Sequence, residues 1–178
     1  MQSRRYLKDY TLQETLGPDG RVRTEGVYNG PVFRLEEGEA LRKARVKLLL
    51  LAAVSLAAVL TPLVITVPII RVWYVMIPLV LALAPAVRLA VCAVRLQRKT
   101  RFTRKERDAT AGALAPWSVA QAALAFLSLA GQVIHALRGA FTARDAPVPV
   151  AAGALLLAAA GMFAIRKSFD AAEEAADP

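Results

Sequence analysis

The chain has 178 residues, 56% of them hydrophobic and 21% charged, with a mean hydropathy of +0.42 and 23 Lys and Arg against 14 Asp and Glu. Its apolar residues gather in runs too long for the core of a soluble protein of this size, which excludes an ordinary cytosolic globule. One cysteine, Cys92, and one histidine, His135, exclude an intramolecular disulfide and a zinc site built from cysteines and histidines.

Residues 1–35 read as strands. Tyr10, Leu12 and Leu16 share one parity, Gly17-Pro18-Asp19-Gly20 is a turn signal, residues 21–28 supply a second strand, and Asn29-Gly30 precedes a third over 31–35. The expectation is a small three-stranded β-meander, too small to be stable alone. Ser3-Arg4-Arg5-Tyr6-Leu7-Lys8 looks like a twin-arginine export signal, but Asp9 and Glu14 stand where such a signal needs an uncharged apolar run. It therefore reads as a basic N-terminus. From Glu36 to Arg45 acids come first and bases last, with Glu39 and Lys43 at i, i+4. That order suits a helix dipole, so the first long helix is expected to start a few turns before its apolar part.

Four apolar stretches follow, at residues 46–66, 72–94, 116–137 and 147–165. At ~1.5 Å per residue each is roughly 28 to 34 Å long, the thickness of a hydrocarbon core. Backbone groups in lipid have no water partners, so runs of this length must be helical whatever their Val and Ile content. The fold class is an all-α membrane protein: a four-transmembrane-helix bundle over residues 36–167, the cytoplasmic meander before it, and an acidic tail at 168–178 that extends the fourth helix. Pro62, Pro68, Pro78 and Pro85 crowd the first hairpin and predict an early end to span one and a kink in span two. Pro116 and Pro147 are expected at helix starts.

Nineteen of the Lys and Arg residues flank one side of these spans and three, Arg71, Arg138 and Arg144, the other. The positive-inside rule then puts both termini on the cytoplasmic side. Seven bases, Arg95, Arg98, Lys99, Arg101, Arg104, Lys105 and Arg107, crowd the loop between spans two and three. They serve topogenesis, or in addition bind anionic phospholipid or a partner protein; no base-reading or stacking module points to nucleic acid.

Span three carries Ser118, Gln121, Ser128, Gln132 and His135 at intervals of 3, 7, 4 and 3, one face of a helix. Such a face turns into the bundle, either as interhelical hydrogen bonding or as the lining of a solute path. Arg88, inside span two, reads as snorkelling to the head groups or touching that face. Ala151, Ala154, Ala158 and Gly161 form a small-residue stripe on span four, which permits close packing within the bundle or between copies. Within the spans there is no Asp or Glu, and the chain has no phosphate-binding loop, HExxH or GxSxG motif. We assign no catalytic, cofactor-binding or metal-binding residues.

Tyr6-Leu7-Lys8-Asp9-Tyr10, the Gly17-Pro18-Asp19-Gly20 turn, Val27-Tyr28-Asn29-Gly30-Pro31 and Arg71-Val72-Trp73-Tyr74-Val75 give the chain a layout that resembles small four-span membrane proteins of Gram-positive gut bacteria. That resemblance implies fold and localisation, and carries no activity or site residues. The expected role is a non-enzymatic membrane adaptor or accessory subunit that works through its basic inner face. The alternative is a small-solute transporter or channel component using the polar face of span three.

Overall fold

The apolar stretches satisfy their backbone groups within themselves, as helices. The computed structural model describes residues 6, 8–16, 22–65, 67–170 and 172–173. The turn expected at Gly17, Pro18, Asp19 and Gly20, most of the twin-arginine-like segment and residues 174–178 of the tail lie outside these. Span one is α1 (Glu39–Val64). Span two is divided into α2 (Trp73–Leu81) and α3 (Leu83–Arg98). A short α4 (Arg104–Ala109) leads into span three, α5 (Ala111–Leu137), and span four is α6 (Pro147–Ile165). The four stretches are long and apolar enough to cross a membrane, the arrangement of a multi-pass membrane protein.

Proline sets the irregularities. Pro85 has no N–H to give the Leu81 carbonyl, so span two breaks at Ala82, and the ladder resumes with the Ala86 N–H to the Ala82 carbonyl at 3.1 Å. Pro62 lies inside α1, which stops two residues later. Pro116 departs from expectation: α5 starts five residues before it, so this proline sits inside the helix. The start of span four at Pro147 is as expected. The tail does not extend α6 as an α-helix. It tightens into a 3₁₀ turn, Arg166–Phe169, that buries Phe169.

The bundle buries polar side chains within its apolar core and shows apolar ones on its outside. Ser55, Ser118, Gln121, Ser128 and Gln132 are buried, while Leu50, Val54, Val87, Phe126, Val133 and Leu157 face outward. Only 33% to 39% of each span's most apolar window is buried inside the chain. An apolar surface of that extent calls for an apolar surrounding. In the ring of helices α5 packs on α6, α6 on α1, α1 on α3, and both halves of span two pack on α5. Gly131 makes the α5–α2 contact possible: a Cβ there would lie 2.9 Å from the Tyr74 carbonyl oxygen. The small-residue stripe is used within the bundle. Ala151 and Ala158 are buried, and Gly161 faces Leu51 of α1.

At the end of the bundle away from the termini, Asp145 joins the two short connections. It is fully buried and accepts from the Thr142 N–H (2.9 Å), the Thr142 hydroxyl (2.7 Å) and the Ile69 N–H (2.9 Å). At the terminal end, β1 (Tyr10–Leu16) and β2 (Val22–Tyr28) form an antiparallel hairpin with Tyr10 opposite Tyr28. The expected third strand, β3 (Val32–Arg34), does not complete a meander. It pairs instead with β4 (Arg101–Thr103), in the basic loop, and on its other edge with β5 (Ala172–Glu173). Pairing with β4 sets Phe33 opposite Phe102, and both rings are buried, which a position on the hairpin edge would not achieve.

Two substitutions check this packing by thermal unfolding in detergent. Asp145→Ala strands the buried Ile69 N–H and should destabilise by about 1 to 3 kcal/mol. Gly131→Leu forces α5 off the Tyr74 backbone and should cost roughly 1 to 3 kcal/mol. Unchanged melting in both would contradict the packing described.

Candidate functional site

Two groups of side chains stand out from the apolar helices: the polar face of α5 and the basic surface at the terminal end. On α5, Ser118, Gln121, Ser128 and Gln132 are brought together on one buried line with Ala125 between them. The Gln121 amide nitrogen donates to Ser55 Oγ of α1 (3.0 Å) and to the Leu155 carbonyl of α6 (3.2 Å). Because a carbonyl can only accept, the Leu155 contact fixes which way the amide points. Ser128 donates to the Val75 carbonyl of α2 (3.4 Å), and Gln132 donates to Ser128 (3.2 Å). One face of span three thereby ties all three other spans. Ser118 Oγ, Gln121 Oε1 and Gln132 Oε1 are buried without a hydrogen-bond partner among the described residues. None of these four side chains titrates near neutral pH, so their chemistry is hydrogen bonding alone.

The other two members of the predicted face do not join it. His135 is half-buried at its far end, with Nδ1 3.5 Å from the Tyr74 hydroxyl. Arg88 lies toward the opposite end, where its guanidinium donates to the Ala109 carbonyl (3.2 Å). It does not meet the span-three amides; it reaches the junction of α4 and α5 instead, to a carbonyl that also accepts from Cys92 Sγ (3.6 Å).

The basic loop is folded rather than slack. Thr103 and Glu106 form a capping box at the start of α4, the Thr103 hydroxyl accepting from the Glu106 N–H (3.3 Å) and Glu106 Oε2 from the Thr103 N–H (3.2 Å). Lys99 donates to the other carboxylate oxygen of Glu106 at 2.6 Å. That bond holds the Glu106 carboxyl below the usual carboxylate range, against the opposing effect of partial burial. The stability so gained is present above the ordinary carboxylate range and is lost as pH falls through the lowered value. Tyrosines of the N-terminal segment pin it to this surface. The Tyr28 hydroxyl accepts from the Arg104 N–H (3.1 Å), and the Tyr6 hydroxyl donates to Asp108 (3.0 Å).

The seven predicted bases divide by use. The Arg107 guanidinium lies 4.1 Å from the centre of the Phe33 ring and 3.6 Å from Asp108. Arg101 is in β4, opposite Arg34. Arg104 and Lys105 open α4. Arg95, Arg98 and Lys99, by contrast, line a cavity of about 340 Å³ with Phe102, Glu106 and Thr110. A tie between α1 and α3 stands next to it: Gln97 donates to the Arg45 carbonyl (2.7 Å) and Arg45 to the Lys99 carbonyl (2.9 Å).

Sequence reasoning missed Ser55, the only serine of span one, and Asp145. Thr103-x-x-Glu106 and Thr142-x-x-Asp145 were legible as capping boxes and would have found both loop folds. Comparison with protein-family models, with curated proteins and with solved structures finds no match to this chain.

Replacing Gln121 with Leu leaves Ser55 and the Leu155 carbonyl without their donor. The expected result is a loss of about 0.6 to 2 kcal/mol of stability in detergent. A Gln121→Leu protein that melts with the wild type would remove the face's structural role.

Proposed function

We propose that this chain is a non-enzymatic adaptor or accessory subunit of a bacterial cytoplasmic membrane, with both termini in the cytoplasm and its basic inner face turned to anionic lipid or a partner protein. The observation that carries this reading is the construction of the terminal end. A strand from the N-terminal segment, a strand from the basic loop and two residues of the tail form one sheet there. Segments far apart in sequence are spent on building a surface. The hairpin beside it exposes Leu12 and Val27, apolar groups available for contact. Nineteen bases on that side against three on the other support its placement inside the cell.

The transporter reading draws on the three buried acceptors of α5 that lack partners among the described residues. On the same face the Gln121 donor is taken up by the first and fourth spans and the Ser128 hydroxyl by the second, which favours hydrogen bonding between helices over a solute path.

A photo-crosslinking residue placed at Leu12 or Lys105 in native membranes should give a discrete heavier product, and one at Val150, at the far end, should not. A product from Val150 alone, or none from any site, would overturn the adaptor role. A C-terminal green fluorescent fusion should fluoresce, and an alkaline phosphatase fusion at the same place should stay inactive. The reverse pattern would invert the orientation.

A further inference from the structure

We propose that the cavity at the end of span two holds the phosphate of an anionic phospholipid of the inner leaflet. The inference rests on the basic-face reading above and deepens it by choosing three of the seven bases. Arg95 and Arg98 stand at i, i+3 in the last turn of α3, on adjoining positions of one helix face. With Lys99 they line the cavity of about 340 Å³, within the usual range of ligand sites, about 300 to 1,000 Å³.

The charges there are not already matched. Among the described residues Glu106 is the one carboxylate lining the cavity, and both its oxygens are engaged, one by Lys99 and one by the Thr103 N–H. Neither Arg95 nor Arg98 has an ion-pair or hydrogen-bond partner among the described residues. Two arginines lining one cavity suit the oxygens of a phosphate, to which a guanidinium can donate in pairs.

Position selects a lipid over a free anion. Val91 and Val94 lie one turn deeper, four residues before Arg95 and Arg98, and both are exposed on the outer surface of the bundle. Cationic groups thus stand directly above lipid-facing apolar ones, the order of a phosphate above its acyl chains. The buried Phe102 ring gives the cavity an apolar wall.

The test uses the full chain purified in detergent and native mass spectrometry, with phosphatidylglycerol, phosphatidylcholine and inorganic phosphate as separate probes. Phosphatidylglycerol should give a saturable one-to-one adduct that phosphatidylcholine does not. The double variant Arg95→Gln/Arg98→Gln should weaken it by roughly tenfold to thirtyfold, the scale expected for two bases near an anionic surface. Arg42→Gln/Lys167→Gln removes the same charge from exposed positions outside the cavity, and should change binding less than about threefold. Equal weakening by the two double variants would overturn the site and leave a diffuse basic face intact. Binding of inorganic phosphate without a lipid adduct would overturn the lipid assignment. Failure of the wider reading would show separately, in the C-terminal fusions.

Discussion

The bundle depends on amide and hydroxyl groups of span three finding partners on the neighbouring helices. Lipid tails are as apolar as leucine, so burial of apolar surface gives transmembrane helices little reason to associate. Directed contacts and close backbone approach must supply the specificity. Gln121 reaches Ser55 of span one and the Leu155 carbonyl of span four, and Ser128 reaches the Val75 carbonyl of span two. Those bonds form only if α5 presents one face to three neighbours at once. Gly131 on the same helix lets α2 come close enough for the Ser128 bond to be made.

From this arrangement the ends of the bundle follow. Holding α5 in the ring fixes where α4 emerges, and the capping box at Thr103 and Glu106 turns the chain so that β4 meets β3. The hairpin is then attached through Tyr28 and Tyr6 to a base already set by the helices. At the other end a single buried carboxylate, Asp145, replaces longer loops by joining two short turns. The chain therefore has an elaborate end and a plain one, and the proposed interactions belong to the elaborate end.

Much of this was legible in the sequence, for physical reasons. Hydrocarbon thickness fixes span length, so the four spans and the limits of α6 could be read directly, and the crowded prolines announced the break at Ala82. The start of α1, seven residues before its apolar run, was marked by the acid-first, base-last order from Glu36, whereas no such order marked the start of α5, five residues before its run. The Asn29-Gly30 turn signal marked β3 as a strand, yet it could not name a partner about seventy residues away in a segment dominated by charge. The intervals of the polar face were visible on α5. Their acceptors were not, since backbone carbonyls and a lone serine leave no pattern. Counting bases likewise could not separate Arg107, stacked on Phe33, from Arg95 and Arg98, which have no ion-pair partner among the described residues.

The central claim is that the bundle sits in lipid with its polar residues inside and its apolar residues outside. Spin labels at Val54, Phe126 and Leu157, each exposed on a different helix, measure this directly on a Cys92→Ala background in reconstituted bilayers. All three should be relaxed by molecular oxygen and shielded from a water-soluble nickel complex, with a label at Lys105 showing the reverse. Strong relaxation by the nickel complex at the three apolar positions would contradict the account.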